Sequence, residues 1–116
     1  ITCASFYRLD NLVAIVDNNQ LMASGSIKQR YDIGNIRAKF EIYGWKTWEI
    51  DGHNMAEIVH ALDETDQVKG YPCVIIAHTV KGKGVSFAEN DYSFHNNSLT
   101  KKQYEQAQKD IAGIMV

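Results

Sequence analysis

Apolar and polar positions along the chain fall into short blocks whose period switches between strand-like and helix-like. Residues 11–17 read Asn-Leu-Val-Ala-Ile-Val-Asp, an unbroken apolar run with the pattern of a strand buried on both faces. Residues 18–26 form a polar loop punctuated by Asn18, Asn19, Ser24 and Gly25. Helical spacing of Ile36, Phe40 and Tyr43 predicts a helix over 33–43, stopped by Gly44. From Trp45 to Ile50 the side chains alternate as in a strand. Asp51, Gly52, His53 and Asn54 turn into a second helix, which Asn54 caps and for which Glu57, three residues on, completes a box-like start. Ile58, Val59 and Leu62 supply its apolar face. Gly70, Tyr71 and Pro72 then lead to a buried-type strand over 73–80. A long loop over 81–97, rich in Gly, Asn and Asp, precedes a last helix that Ser98 or Thr100 caps and that runs towards Ile114. Residues 1–9 read as the tail of one more helix.

Strands that alternate with helices predict an α/β fold, a three-layer αβα arrangement with a mostly parallel sheet. Three strands make a small sheet, and the first has a buried-type sequence, so a further strand is expected beside it. The chain opens on Ile1, and residues 1–6 lack the charged start and long apolar core of a signal peptide, so upstream sequence is expected.

Composition narrows the function classes. At 116 residues the chain is one domain or part of one, and 45% hydrophobic with 22% charged residues is ordinary for a globular protein. A net charge of -2 with scattered basic residues gives no field for nucleic acid or a membrane surface. Apolar runs are too short to span a bilayer. Cys3 and Cys73 lie far apart with no CxxC spacing, which argues against zinc or a disulfide framework. Both read as small buried hydrophobes, and a reducing cytoplasm is the expected compartment.

Ligands of open α/β sheets bind beyond the carboxyl ends of the strands, so the loops over 18–26, 51–54 and 81–97 are where chemistry is sought. In the first, the Asn19 amide oxygen and the Leu21 carbonyl can both reach a small hard cation, which takes oxygen ligands and leaves the rest to phosphate and water. The same Asn-Asn pair is also simply good at turning a chain. In the third, Lys81, Gly82, Lys83 and Gly84 suit an anion, although no Walker motif is present, and a solvated loop explains them equally. His95, between aromatic and amide residues, can donate to an anion or move a proton, or it can be a surface histidine. His53 fits a capping or exposed position, His60 the polar side of its helix, and His78 a satisfied position within a strand. No HExxH, GxSxG or cysteine–histidine arrangement occurs.

In combination these segments resemble the transketolase family. Residues 7–19, from Tyr7 to Asn19, look like the end of its thiamine diphosphate motif, which opens with Gly-Asp-Gly and closes with an Asn after a buried strand. Residues 40–45, 49–54 and 79–87 look like the family's next helix, strand, turn and loop, in the right order over nearly the whole chain. The resemblance implies that Asn19 (side chain) and Leu21 (main-chain oxygen) ligate Mg²⁺ or Ca²⁺, that Ala23 lies beside the cofactor, and that His95 contacts the diphosphate and assists catalysis. The chain departs from the family at Asn96, where Gly is usual after the histidine, and at Ser24, where Asp often precedes the closing Gly.

The implied identity of residues 1–116 is the C-terminal portion of a thiamine-diphosphate-binding domain, a partial fold whose upstream half is missing. Gly-Asp-Gly, which carries the anionic metal ligand, lies upstream of Ile1, and the Glu that activates the cofactor lies in another domain or a C-terminal subunit. The implied activity is transfer of a two-carbon ketol unit between sugar phosphates by the intact enzyme, a homodimer or heterotetramer. Residues 1–116 alone are expected to bind thiamine diphosphate negligibly and to be inactive. The competing readings are a related thiamine-diphosphate enzyme, such as deoxyxylulose-phosphate synthase, and a non-catalytic α/β interaction module.

Overall fold

In the computed structural model, which describes residues 1–114, the chain forms two compact units joined covalently at Asn18–Asn19, Asp32–Ile33 and Thr79–Val80. The first comprises Ile1–Asn18 and Ile33–Thr79, the second Asn19–Asp32 and Val80 onwards.

The first unit contains α1 (Thr2–Phe6), β1 (Val13–Asn18), α3 (Ile36–Ile42), β4 (Lys46–Asp51), α4 (Met55–Gln67) and β5 (Cys73–His78). Its sheet is parallel throughout, in the order β1-β5-β4, so the last strand in sequence lies in the middle. That position explains the composition of β5: Cys73 to Ala77 are all buried, and each fully buried Ile or Val contributes about 1.5–3 kcal/mol. Even-numbered β5 residues face one way. Val74 and Ile76 pack with Ala4 of α1, Trp45, and Ile36 and Phe40 of α3. Ile75 and Ala77 face the other way, against Ile50 of β4 and Ala61 and Ile58 of α4. Helices thus cover both faces, as the alternation of elements predicts.

Local signals set most of the boundaries. The Asn54 side chain accepts from the Ala56 and Glu57 amides, while Glu57 accepts from the Asn54 side-chain amide and from the Asp51 N–H. The box-like start is therefore present in a variant form, since the Asn54 N–H donates to the Asp51 carbonyl and Glu57 returns to the Asn54 side chain and to Asp51, which ties β4 to α4. Gly44 has φ +82° immediately after α3, the left-handed conformation that ends a helix. Asn35, not residue 33, caps α3, by accepting from the Ala38 amide.

Three expectations fail in this unit. Among the described residues β1 pairs only with β5, with no strand on its other side, and it is not buried on both faces: Ile15 is 63% exposed, because the cluster under α4 draws on β4 and β5 only. Of the expected apolar face of α4, Ile58 does pack towards the sheet, but beside the buried Ala61 and Thr65, while Val59 and Leu62 are exposed, because small side chains let the helix approach the sheet. Cys3 is exposed, although Cys73 is buried as expected.

The second unit contains β2 (Leu21–Met22), β3 (Gly25–Ser26), α2 (Ile27–Arg30), a 3₁₀ helix (Tyr92–His95) and α5 (Lys101–Ile114). The segment expected to be a polar loop is in fact a small antiparallel hairpin, β2 with β3, followed directly by the single turn α2. Of the two predicted caps for α5, Thr100 is the one used: its hydroxyl accepts from the Gln103 amide, and Gln103 accepts from the Thr100 N–H.

Candidate functional site

Asn19, Leu21, Ala23 and His95 all belong to the second unit. Asn19 follows β1 directly, and its side-chain Oδ1 accepts from the Leu21 N–H at 2.9 Å. This Asx turn folds the amide over the residue two positions on. Gln20 between them has φ +62°, so the peptide units on either side are turned sharply. Leu21 opens β2 and pairs with Ser26, which fixes the turn to a hairpin. Ala23 lies at the hairpin's exposed tip.

His95 is the last residue of the 3₁₀ helix and is exposed. Asp91 caps that helix by accepting from the Ser93 amide at 2.8 Å, and Ser93, through its hydroxyl first and its backbone N–H second, holds the Asp91 carboxyl below its usual range. β2 lies beside the 3₁₀ helix. Tertiary structure therefore brings the segment that starts at Leu21 to the segment that ends at His95, although they are remote in sequence.

The loop before the 3₁₀ helix is compact. Its ends meet where the Asn90 amide donates to the Lys81 carbonyl at 2.9 Å. Gly82 has φ +73°, and a Cβ there would overlap the Ala88 carbonyl, so only glycine fits. Phe87 packs on Phe94 with ring centroids 5.4 Å apart. Beneath them a cavity of about 210 Å³ is lined by Phe87, Phe94, Leu99 and Ala107, with Lys81 and Asn97 as its polar members.

The first unit carries a separate polar cluster at the carboxyl ends of its strands. The Asn18 side-chain amide lies 3.3 Å from His78 Nδ1, and His78 Nε2 lies 3.4 Å from Glu49 Oε1. An amide donating to Nδ1 leaves the ring proton on Nε2, facing the carboxylate. The Thr79 hydroxyl donates to the Asp17 carboxylate. His78 is thus a half-exposed member of a polar network at the end of its strand, not a residue satisfied inside it. Nothing in the sequence marked these residues as a cluster, since nothing local links positions that meet only across parallel strands.

The donors present near the turn are neutral oxygens. Among the described residues no three His, Cys, Asp or Glu side chains gather as a metal cluster. Two neutral protein oxygens suit a hard dication that arrives with phosphate and keeps water, and do not suit one caged by protein alone.

Comparison with known proteins gives this geometry its setting. The family described as "Transketolase, thiamine diphosphate binding domain" matches residues 1–114. The chain is 36% identical over 106 residues to one subunit of the apulose-4-phosphate transketolase of Phocaeicola vulgatus, covering 91% of this chain and 38% of that protein. It is 37% identical over 108 residues to human transketolase, covering 93% of this chain and 17% of that one. A crystal structure of transketolase from Campylobacter jejuni superposes with a TM-score of 0.88 at 28% identity, over 96% of this chain and 17% of that chain. The chain thus spans well under half the length of these relatives, and with a match from its first residue to residue 114 it belongs to the transketolase family, in the region of the thiamine diphosphate binding domain.

Proposed function

We propose that this chain is a cofactor-anchoring part of an enzyme that transfers a two-carbon ketol unit from a ketose phosphate to an aldose phosphate. Two relatives are named as transketolase subunits, one for apulose 4-phosphate and one for 6-deoxy-6-sulfo-D-fructose, and this supports an intact enzyme assembled with a companion subunit or further domains. The setting this reading gives the chain is a dimeric cytoplasmic enzyme of the pentose phosphate pathway.

The observation that carries the reading is the Asx turn at Asn19 and Leu21, with β2 beside the helix that ends in His95. The Asn19 amide and the Leu21 carbonyl would hold Mg²⁺ or Ca²⁺, with Ala23 against the cofactor. When bound, thiamine diphosphate supplies the carbanion and the electron sink that carbon–carbon cleavage requires. His95 donates a hydrogen bond to the diphosphate and moves a proton at the substrate oxygen. The glycine-bounded loop at Lys81 and Gly82 gives backbone access to the same anion, and the folded hairpin keeps the turn in one conformation before ligand arrives.

The test uses the intact polypeptide or complex that carries this chain. Asn19→Ala should weaken thiamine diphosphate binding in the presence of Mg²⁺ by about tenfold or more, read by titration calorimetry. Affinity within twofold of wild type overturns the metal-anchoring role. Residues 1–116 alone should bind cofactor negligibly, because neither proposed ligand is anionic; submillimolar binding by the isolated chain refutes that part.

A further inference from the structure

Helix α5 holds a carboxylate where a helix gains little from one. Asp110 lies towards its C-terminal end, the negative end of the macrodipole, and Asp is a weak helix former. One of its carboxylate oxygens is directed off the helix, the other back to the preceding turn. Oδ2 accepts from both the Ser86 N–H at 2.8 Å and the Ser86 hydroxyl at 2.6 Å, and Oδ1 accepts from Gln106 Nε2 at 2.6 Å. Charge-assisted bonds of this length are the stronger kind. Near the same place Gly84 donates to Glu89 at 2.9 Å, and a Cβ there would meet the tip of the Ile114 side chain.

Ser86 is followed by Phe87, Phe87 packs on Phe94, and Phe94 precedes His95. A continuous line of contacts therefore runs from Asp110 through Ser86, Phe87 and Phe94 to His95. We propose that Asp110 is a positioning residue: by clamping Ser86 it holds the loop over 81–91 and sets the direction in which the 3₁₀ helix presents His95. This rests on the reading of His95 as a cofactor contact. Asp110 itself touches no cofactor; it acts through the loop, so its effect passes through His95 and disappears when His95 is absent.

The experiment uses the intact polypeptide carrying Asp110→Ala, Asp110→Asn, Ser86→Ala, His95→Ala and the Asp110→Ala/His95→Ala pair. Amide hydrogen exchange over residues 84–95 and thiamine diphosphate affinity with Mg²⁺ are measured for each. Asp110→Ala should speed exchange in that segment and weaken cofactor binding, each by about tenfold. Asp110→Asn keeps an acceptor oxygen and should recover part of both, and Ser86→Ala, which retains the main-chain bond, should fall between. In the His95→Ala background, Asp110→Ala should change affinity by less than about twofold, the non-additivity of a shared route. Additive losses would show a merely structural role and overturn the proposal, as would exchange that stays at the wild-type rate in Asp110→Ala. If His95→Ala alone leaves affinity unchanged, the cofactor reading of the site fails and the positioning role falls with it; exchange separates the two failures, since it reports the clamp without cofactor.

Discussion

The two units are held by different forces. The first is organised around β5, whose Val74, Ile75 and Ile76 are almost wholly buried between helices on either face. The second buries little and relies on side chains that satisfy backbone groups: Asn19 to Leu21, Asp91 to Ser93, Asp110 to Ser86, and Thr100 with Gln103. Apolar burial is non-directional and tolerates drift, whereas hydrogen bonds fix direction at small net gain. A scaffold is built the first way and a ligand-presenting surface the second, and every proposed cofactor residue lies in the second unit.

The strongest challenge to that division is Ile76→Ala. It leaves a cavity in the centre of the sheet and should destabilise the first unit by about 2–5 kcal/mol, measured by urea unfolding of the intact protein. A loss below about 1 kcal/mol would mean that β5 is not the keystone described. Next in size is Gly82→Ala, which requires both a left-handed backbone and space that Ala88 already fills. We expect about 1–3 kcal/mol, confined to the second unit, with faster amide exchange over 82–90 and an unchanged sheet. Equal loosening of β5 would erase the distinction between the units.

The smallest effect is acid sensitivity. The bonds from Ser86, hydroxyl first and backbone second, and then from Gln106, hold the Asp110 carboxyl below its usual range, and Ser93 does the same for Asp91. A carboxyl more acidic in the folded state stabilises it above the unfolded pKa, and that contribution fades as pH falls through the folded value. Below the ordinary carboxylate range, near pH 4, the loop over 81–97 should lose exchange protection before the sheet does. Asp110→Asn should flatten its share of that dependence; a sheet that loosens first would reverse the comparison.

Much of this was legible along the chain. The strands at β1, β4 and β5, the cap at Asn54, the stop at Gly44 and the cap at Thr100 are local features, decided within a few residues. The hairpin β2–β3 was hidden because two-residue strands carry no periodicity. The inward face of α4 was read only in part: Ile58 packs towards the sheet as expected, but its neighbour there is Ala61, small and only mildly apolar, while larger Val59 and Leu62 are exposed. The exposure of Ile15 could not be read either, since a buried-type strand and an edge strand share one composition. Asn19, Leu21, Ala23 and His95 were singled out by family resemblance; their chemistry alone was equally that of an ordinary turn and a surface histidine.

What the amino-acid order determined by itself was the three longer strands and the helices α1, α3, α4 and α5, each to within a few residues at its ends, because periodicity, caps and breakers act over one or two turns. Only the tertiary structure decided that β5 stands between β1 and β4, that β2 meets the helix bearing His95, and that Asp110 reaches Ser86. Those pairings join distant segments, and they are selected by which arrangement buries the most apolar surface while satisfying every polar group, a balance struck by the whole chain at once.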